Sequence, residues 1–106
     1  MAKVTRNVEE DFRSRKQAVL ELIVRYQIQF LDVGIFGSYA RDDYKADSDI
    51  DFCIITEQRP DRIRSGSLRE DAEAIGADII FVSPDYFKND TSNFAVQLRR
   101  DFRSML

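Results

Sequence analysis

The chain of 106 residues contains no histidine. That absence removes the commonest general base and the usual zinc ligand together, so Ser-His, Cys-His and His-metal chemistry are excluded. There is one cysteine, Cys53, inside an apolar run. It cannot form an internal disulfide, and its neighbours mark it as a buried packing group rather than a reactive thiol. No Gly-Lys-Ser/Thr loop and no GxGxxG occurs, which rules out P-loop kinase and Rossmann phosphate cradles. No stretch approaches the length of a membrane span, and the opening "MAKVTRNVEEDF" lacks the apolar core of a signal peptide. A cytoplasmic protein with no membrane partner is the expectation. Internal repeats, low-complexity segments and flexible linkers are also missing.

What is present is an ordinary globular balance, 43% apolar and 33% charged. The length suits one domain spanning residues 1–106, with room for a single core. A net charge of −3 disfavours nucleic acid as a partner. Two arginine groups, Arg59/Arg62/Arg64/Arg69 and Arg99/Arg100/Arg103, are expected to be solvated faces.

Periodicity places a first helix from a cap at Asn7, with Val8, Phe12, Val19, Leu22, Ile23 and Tyr26 on one apolar stripe. "FLDVGIFG" reads as a strand closed by Gly37, and a short helix is expected from Ser38 to about Asp43. "DIDFCIITE" and "ADIIFVS" read as the second and third strands. Ser67 and Glu70 form a capping-box pattern for a helix that runs to Gly76. Ser83-Pro84 opens a short turn, and a last helix from about Ser92 places Phe94, Leu98, Phe102 and Met105 on one face. The expected fold is α/β (α+β), a small mixed sheet of three to four strands with helices packed on it.

The acids at the strand starts carry the chemistry. Alternation along a strand points Asp49 and Asp51 the same way, with Cα atoms about 6.6 Å apart. Two carboxylates so close repel unless a cation lies between them, and a hard ion such as Mg²⁺ suits oxygen ligands. Asp78 starts the third strand, and it joins the pair if that strand lies beside the second. Gly37 permits close backbone approach and Ser38 starts a helix, a combination that suits a phosphate. Arg41 is placed to reach a phosphate or to pair with an acid such as Asp42; both roles stay open.

Gly37-Ser38, ten residues, then Asp49-Ile50-Asp51 resembles the GS-x10-D-x-D signature of the DNA polymerase β-like nucleotidyltransferases. "FGSYARDDYKADSDIDF" is similar to the minimal (MNT-type) members, whose usual text is GSxARG followed by SDIDL. The likeness runs from about Leu31 to Ser83, with "LRRDFRSML" similar to the family's closing helix. It departs at Asp42, followed by Asp43, where glycine is usual. The resemblance implies two Mg²⁺ ions held by Asp49, Asp51 and Asp78, and ATP gripped by Gly37, Ser38 and Arg41. It implies transfer of AMP to a hydroxyl, and by likeness to MNT antitoxins that hydroxyl belongs to a tyrosine of a HEPN-type toxin. A bare core also suggests completion by a partner or a second copy. Two other classes stand beside this: a binding module that neutralises a partner by contact, and nucleotidylation of a small molecule.

Overall fold

A computed structural model describes residues 2–45 and 47–106, the side chains of residues 2–7 excepted. Its sheet has the order β3-β2-β1-β4. Strand β1 (Asp32–Phe36) runs antiparallel to β2 (Ile50–Ile55) on one side and to β4 (Arg103–Ser104) on the other. Strand β3 (Ala77–Val82) lies parallel to β2 and forms one edge of the sheet, β4 the other. Between them come α1 (Ala2–Arg25), α2 (Ser38–Arg41), α3 (Arg62–Ala74), α4 (Pro84–Asn89) and α5 (Asn93–Asp101). The expected mixed sheet is therefore present, with a fourth strand that the periodicity had hidden inside the last helix.

Alternation divides the sheet into two faces. Val33, Ile35, Ile50, Phe52, Ile54, Ile79 and Phe81 are buried on one of them, against Val19, Leu22 and Ile23 of α1 and Leu68 and Ala72 of α3. Cys53 and Ile55 pack on the other with Leu98 of α5, flanked by Ile80, Val82, Phe87 and Phe102. Asp51 and Asp78 belong by alternation to this second face, at the end of β2 and β3 opposite Ile55 and Val82.

The element boundaries correct several expectations. Helix α1 begins at Ala2, so Asn7 lies within it; the Asn7 side chain, expected as the cap, falls outside the described residues. The helix ends in a left-handed Gln27 (φ 55°), with Gln27 N–H donating to the Val24 carbonyl and Ile28 N–H to the Ile23 carbonyl, a Schellman stop without glycine. Helix α3 starts five residues before Ser67: Asp61 is its cap, accepting from the Arg64 N–H at 2.9 Å. Arg64 also donates to the Tyr26 and Gln27 carbonyls, closing the open end of α1. Arg99 reaches the Phe87 and Asp90 carbonyls at 2.7 and 3.0 Å and pins α4 to α5. Neither arginine belongs to a merely solvated face.

Ser83 caps α4 with Pro84 as its first residue, and α5 begins beside Ser92 as expected, with Ser92 as its cap. The chain leaves the helix at Phe102, whose ring lies across Gly34, where a Cβ would sit 2.5 Å from it. Glycine at that point lets Phe102 and β4 close against β1. Leu98 is buried, but Phe94 is about half exposed and Met105 follows β4, so the expected four-residue apolar face does not form.

Burial pushes the Cys53 thiol up to about 12. Its folded value exceeds the unfolded one, so the stability tied to it is complete below pH 9 and falls as pH rises toward 12. Cys53 should resist a thiol reagent such as DTNB at pH 8 in buffer and react at once in denaturing urea. Fast reaction in buffer would contradict its burial.

Candidate active site

The parallel pairing of β2 and β3 sets Asp51 opposite Asp78 in register. Neighbouring strands lie about 4.8 Å apart, so two carboxylates are held side by side by backbone hydrogen bonding. Asp49 stands one residue before β2, and Asp49 and Asp78 are exposed while Asp51 is half-buried. Burial raises the Asp51 carboxyl above its ordinary value, the charges of Asp78 and Asp49 raise it further, and Arg41 eases it back. Among the described residues, no three Asp, Glu or Cys side chains already converge as a ligand set around one point. The strand register sets Asp51 and Asp78 side by side, with Asp49 one residue before β2.

On the antiparallel side, Phe36 ends β1 opposite Asp51 and Gly37 follows it. Gly37 has φ 74° and ψ −152°, a backbone that side chains rarely adopt, and a Cβ there would run into Asp51 Oδ2. Glycine therefore lets the Asp51 carboxylate lie against the turn. Ser38 is half-buried and opens α2, which is a single turn. Arg41 N–H makes the first helical bond, to the Gly37 carbonyl at 3.0 Å, so the Ser38, Tyr39 and Ala40 N–H groups precede it and have no helical acceptor. One turn carries little macrodipole, and these donors, rather than the helix field, are what an anion would meet.

Arg41 resolves toward pairing, though not with Asp42. It bonds Asp101, which is 5% exposed, at 2.7 Å and Asp43 at 3.1 Å. Asp42 occupies the left-handed C-cap of α2 (φ 63°, ψ 30°), a conformation that glycine adopts freely and aspartate tolerates. The aspartate where glycine is usual thus meets the backbone requirement, while Asp43 carries part of its charge into a pair with Arg41.

Sequence reasoning missed Arg15. It projects from α1 with its side chain almost enclosed, at 11% exposure. Nη1 donates to the Ser48 and Gly76 carbonyls, both at 3.0 Å, and Nη2 to Asp11 at 2.5 Å and the Tyr39 hydroxyl at 2.8 Å. Tyr39 in turn stacks between Phe12 and Tyr44, with ring centres 5.2 and 4.2 Å away. One signal was available: Arg15 stands three residues after Phe12 and four before Val19, a cation on the apolar stripe.

With this geometry in view, comparison with known proteins is decisive. The family profile for the nucleotidyltransferase domain matches residues 16–102. The chain belongs to that family. A candidate minimal nucleotidyltransferase of solved structure is 27% identical, with a TM-score of 0.60 over 89% of this chain and 92% of its own. A toxin–antitoxin structure with AMP-PNP is 19% identical, TM-score 0.60, over 83% of this chain and 69% of that one. A tri-AMPylated Shewanella oneidensis HEPN toxin in complex with MNT antitoxin gives 15% identity and TM-score 0.57, over 89% and 71%. These last two show likeness of fold. No curated protein matches the sequence. The resemblance noted at GS-x10-D-x-D is borne out: the chain is a nucleotidyltransferase, similar in fold to that minimal one.

Two substitutions test the local geometry. Gly37→Ala should cost about 1–3 kcal/mol from backbone strain and displace Asp51, read by urea unfolding. Asp51→Asn should have the opposite sign in metal-free buffer. Its raised carboxyl means that stability is fullest below the ordinary carboxylate range and declines as Asp51 ionises, so removing the charge should raise Tm at pH 7. An unchanged or lower Tm would refute the electrostatic account.

Proposed function

We propose that residues 1–106 act as one minimal nucleotidyltransferase domain that moves AMP from ATP to a hydroxyl of a protein partner, the partner being a HEPN-type toxin and the site cytoplasmic. The observation that carries this is the register of Asp51 with Asp78 beside the Gly37-Ser38 turn, in a chain matched by the family over residues 16–102. The HEPN partner is supported by the MNT antitoxin and its toxin among the fold relatives. The adenine nucleotide is supported by the relative with AMP-PNP. A further relative, an MntA–HpeT toxin–antitoxin at 16% identity and TM-score 0.58, carries two aspartate-to-glutamate substitutions two positions apart, the spacing of Asp49 and Asp51.

The donor set fits Mg²⁺. It is all carboxylate oxygen, the donor type that a hard cation takes, and the strand register brings Asp51 and Asp78 side by side. Asp49, Asp51 and Asp78 would hold the metal. Mg²⁺ bound there neutralises triphosphate charge and lowers the pKa of the acceptor hydroxyl.

The chain's own groups supply the rest. Asp51, half-buried and backed by Gly37, is the fixed member of the set. The Ser38 hydroxyl and the free N–H groups of the first turn of α2 bind phosphate oxygens, orienting the α-phosphorus in line with the acceptor. The exposed Asp78 carboxylate takes the hydroxyl proton as the acceptor oxygen bonds to the α-phosphorus. The bond from that phosphorus to the bridging oxygen breaks, and pyrophosphate leaves. Arg41 contributes by holding α2 to Asp101, and its charge reaches the site through space.

Label transfer from ATP carrying ³²P at the α-phosphate, with Mg²⁺, to the protein encoded beside this one provides the test. Wild type should label the neighbour and Asp49→Asn should lose the label by about a hundredfold or more, the scale expected when a metal ligand is removed. No label from wild type despite a tight complex would replace catalysis with neutralisation by contact. Label on a small hydroxyl compound but not on the protein would move the acceptor to the small-molecule class.

A further inference from the structure

Three segments must stay in fixed relation for the carboxylates and the phosphate-facing turn to meet: the residues before Asp49, the residues before Asp78, and α2. One side chain touches all three. Arg15 Nη1 bonds the carbonyl of Ser48, the residue preceding Asp49, and the carbonyl of Gly76, two residues before Asp78. Its Nη2 bonds the hydroxyl of Tyr39, which directly follows Ser38. We infer that Arg15 is a positioning residue for nucleotidyl transfer, a brace that sets the two acid-bearing strand ends and α2 from the α1 side of the sheet.

The Gly76 carbonyl explains how the brace reaches the site. It accepts the Ile50 N–H at 3.0 Å as well as Arg15 Nη1. The Ile50 bond begins the parallel ladder, and the next registered pair is Asp51 with Asp78. Arg15 therefore grips the ladder at its first rung, one step from the carboxylates, without touching them. All four terminal N–H donors of the guanidinium are used, and Asp11 balances the charge. Only Nε–H, buried, has no partner among the described residues. The planar fork spans acceptors on separate segments, which a lysine ammonium does not match. Tyr39, whose hydroxyl accepts the Nη2 bond, stacks flat on Tyr44. That stack ties the α2–β2 loop to the same brace.

This inference rests on Asp49, Asp51 and Asp78 being the metal-binding set, and the experiment separates the two ideas. Mn²⁺ affinity is measured by electron paramagnetic resonance, with α,β-methylene-ATP present, for wild type, Asp51→Asn, Arg15→Met and Arg15→Lys. Thermal melts identify the temperature at which each is folded. Folded Arg15→Met should bind Mn²⁺ at least tenfold more weakly than wild type, the usual effect of removing an outer-shell support, and Arg15→Lys should recover only part. Amide hydrogen exchange in Arg15→Met should quicken at residues 48–51 and 76–79 while the far end of β2 stays protected. A merely structural arginine would lower Tm and leave the Mn²⁺ affinity of the folded protein unchanged. That result, with binding lost in Asp51→Asn, would overturn the brace and keep the metal set. Failure of wild type to bind Mn²⁺ would overturn the metal set and with it the brace's purpose, and unchanged exchange at both segments would overturn the brace directly.

Discussion

Two carboxylates do not choose to be neighbours, and in this chain the parallel ladder between β2 and β3 makes them so. Each backbone hydrogen bond in that ladder is worth roughly 1 kcal/mol net, and it is supported by side chains buried on the same strands. Ile50, Phe52 and Ile54 are fully enclosed on β2, as is Ile79 on β3 apart from about 1% of its surface. Their burial, at about 2 kcal/mol for each large side chain, outweighs the repulsion between exposed or half-exposed acids screened by solvent. The acids ride on alternate positions of the strands whose other positions form the core. Moving the register by one residue would turn the core outward, so the same pattern that packs the sheet fixes Asp51 against Asp78.

The remaining parts of the site follow from that register. Gly37 is required because Phe36 is Asp51's partner across the antiparallel ladder, which brings the turn after β1 up to the carboxylate. Ser38 stands half-buried at the head of α2, while Tyr39 turns into the core and meets Arg15 and the stacked rings. A four-residue helix has little stability of its own. It is held by Tyr39 on one side and by the Arg41–Asp101 pair on the other.

How much of this could be read from the chain depends on whether the cause was local. The Gly37-Ser38 and Asp49/Asp51 spacing is local; alternation gives the face of Asp51, whereas Asp49 stands one residue before β2. Asp78 was legible as an acid opening an apolar run, but its place beside Asp51 depended on which strands pair. Other features were illegible for physical reasons. Helix α1 stops at Gln27 and α2 at Asp42, each left-handed without glycine, so the usual punctuation was missing. Helix α3 starts at Asp61 rather than Ser67 because an Asp-x-x-Arg cap, tied to α1 through Arg64, forms upstream of the better-known pattern. Strand β4 is two residues long and exists because Gly34 leaves room for Phe102, a contact across more than sixty residues that no periodicity encodes.

Arg41 shows why a motif residue and a ligand are different claims. The Ala-Arg of the signature suggests a phosphate contact, yet the guanidinium is committed to Asp101 and Asp43. Asp101 is nearly enclosed, and stripping a buried carboxylate of its partner costs several kcal/mol. Loss of Arg41 would therefore loosen α2 from α5 and shift Ser38 whether or not the arginine ever touches a nucleotide. The same logic applies to Arg15 on the opposite face. Between them, two arginines anchor α2, which carries Ser38 and its free N–H donors, one to α5 and one to α1 and the strand ends. In the proposed reaction the acids supply the chemistry, and the arginines hold the backbone that carries them.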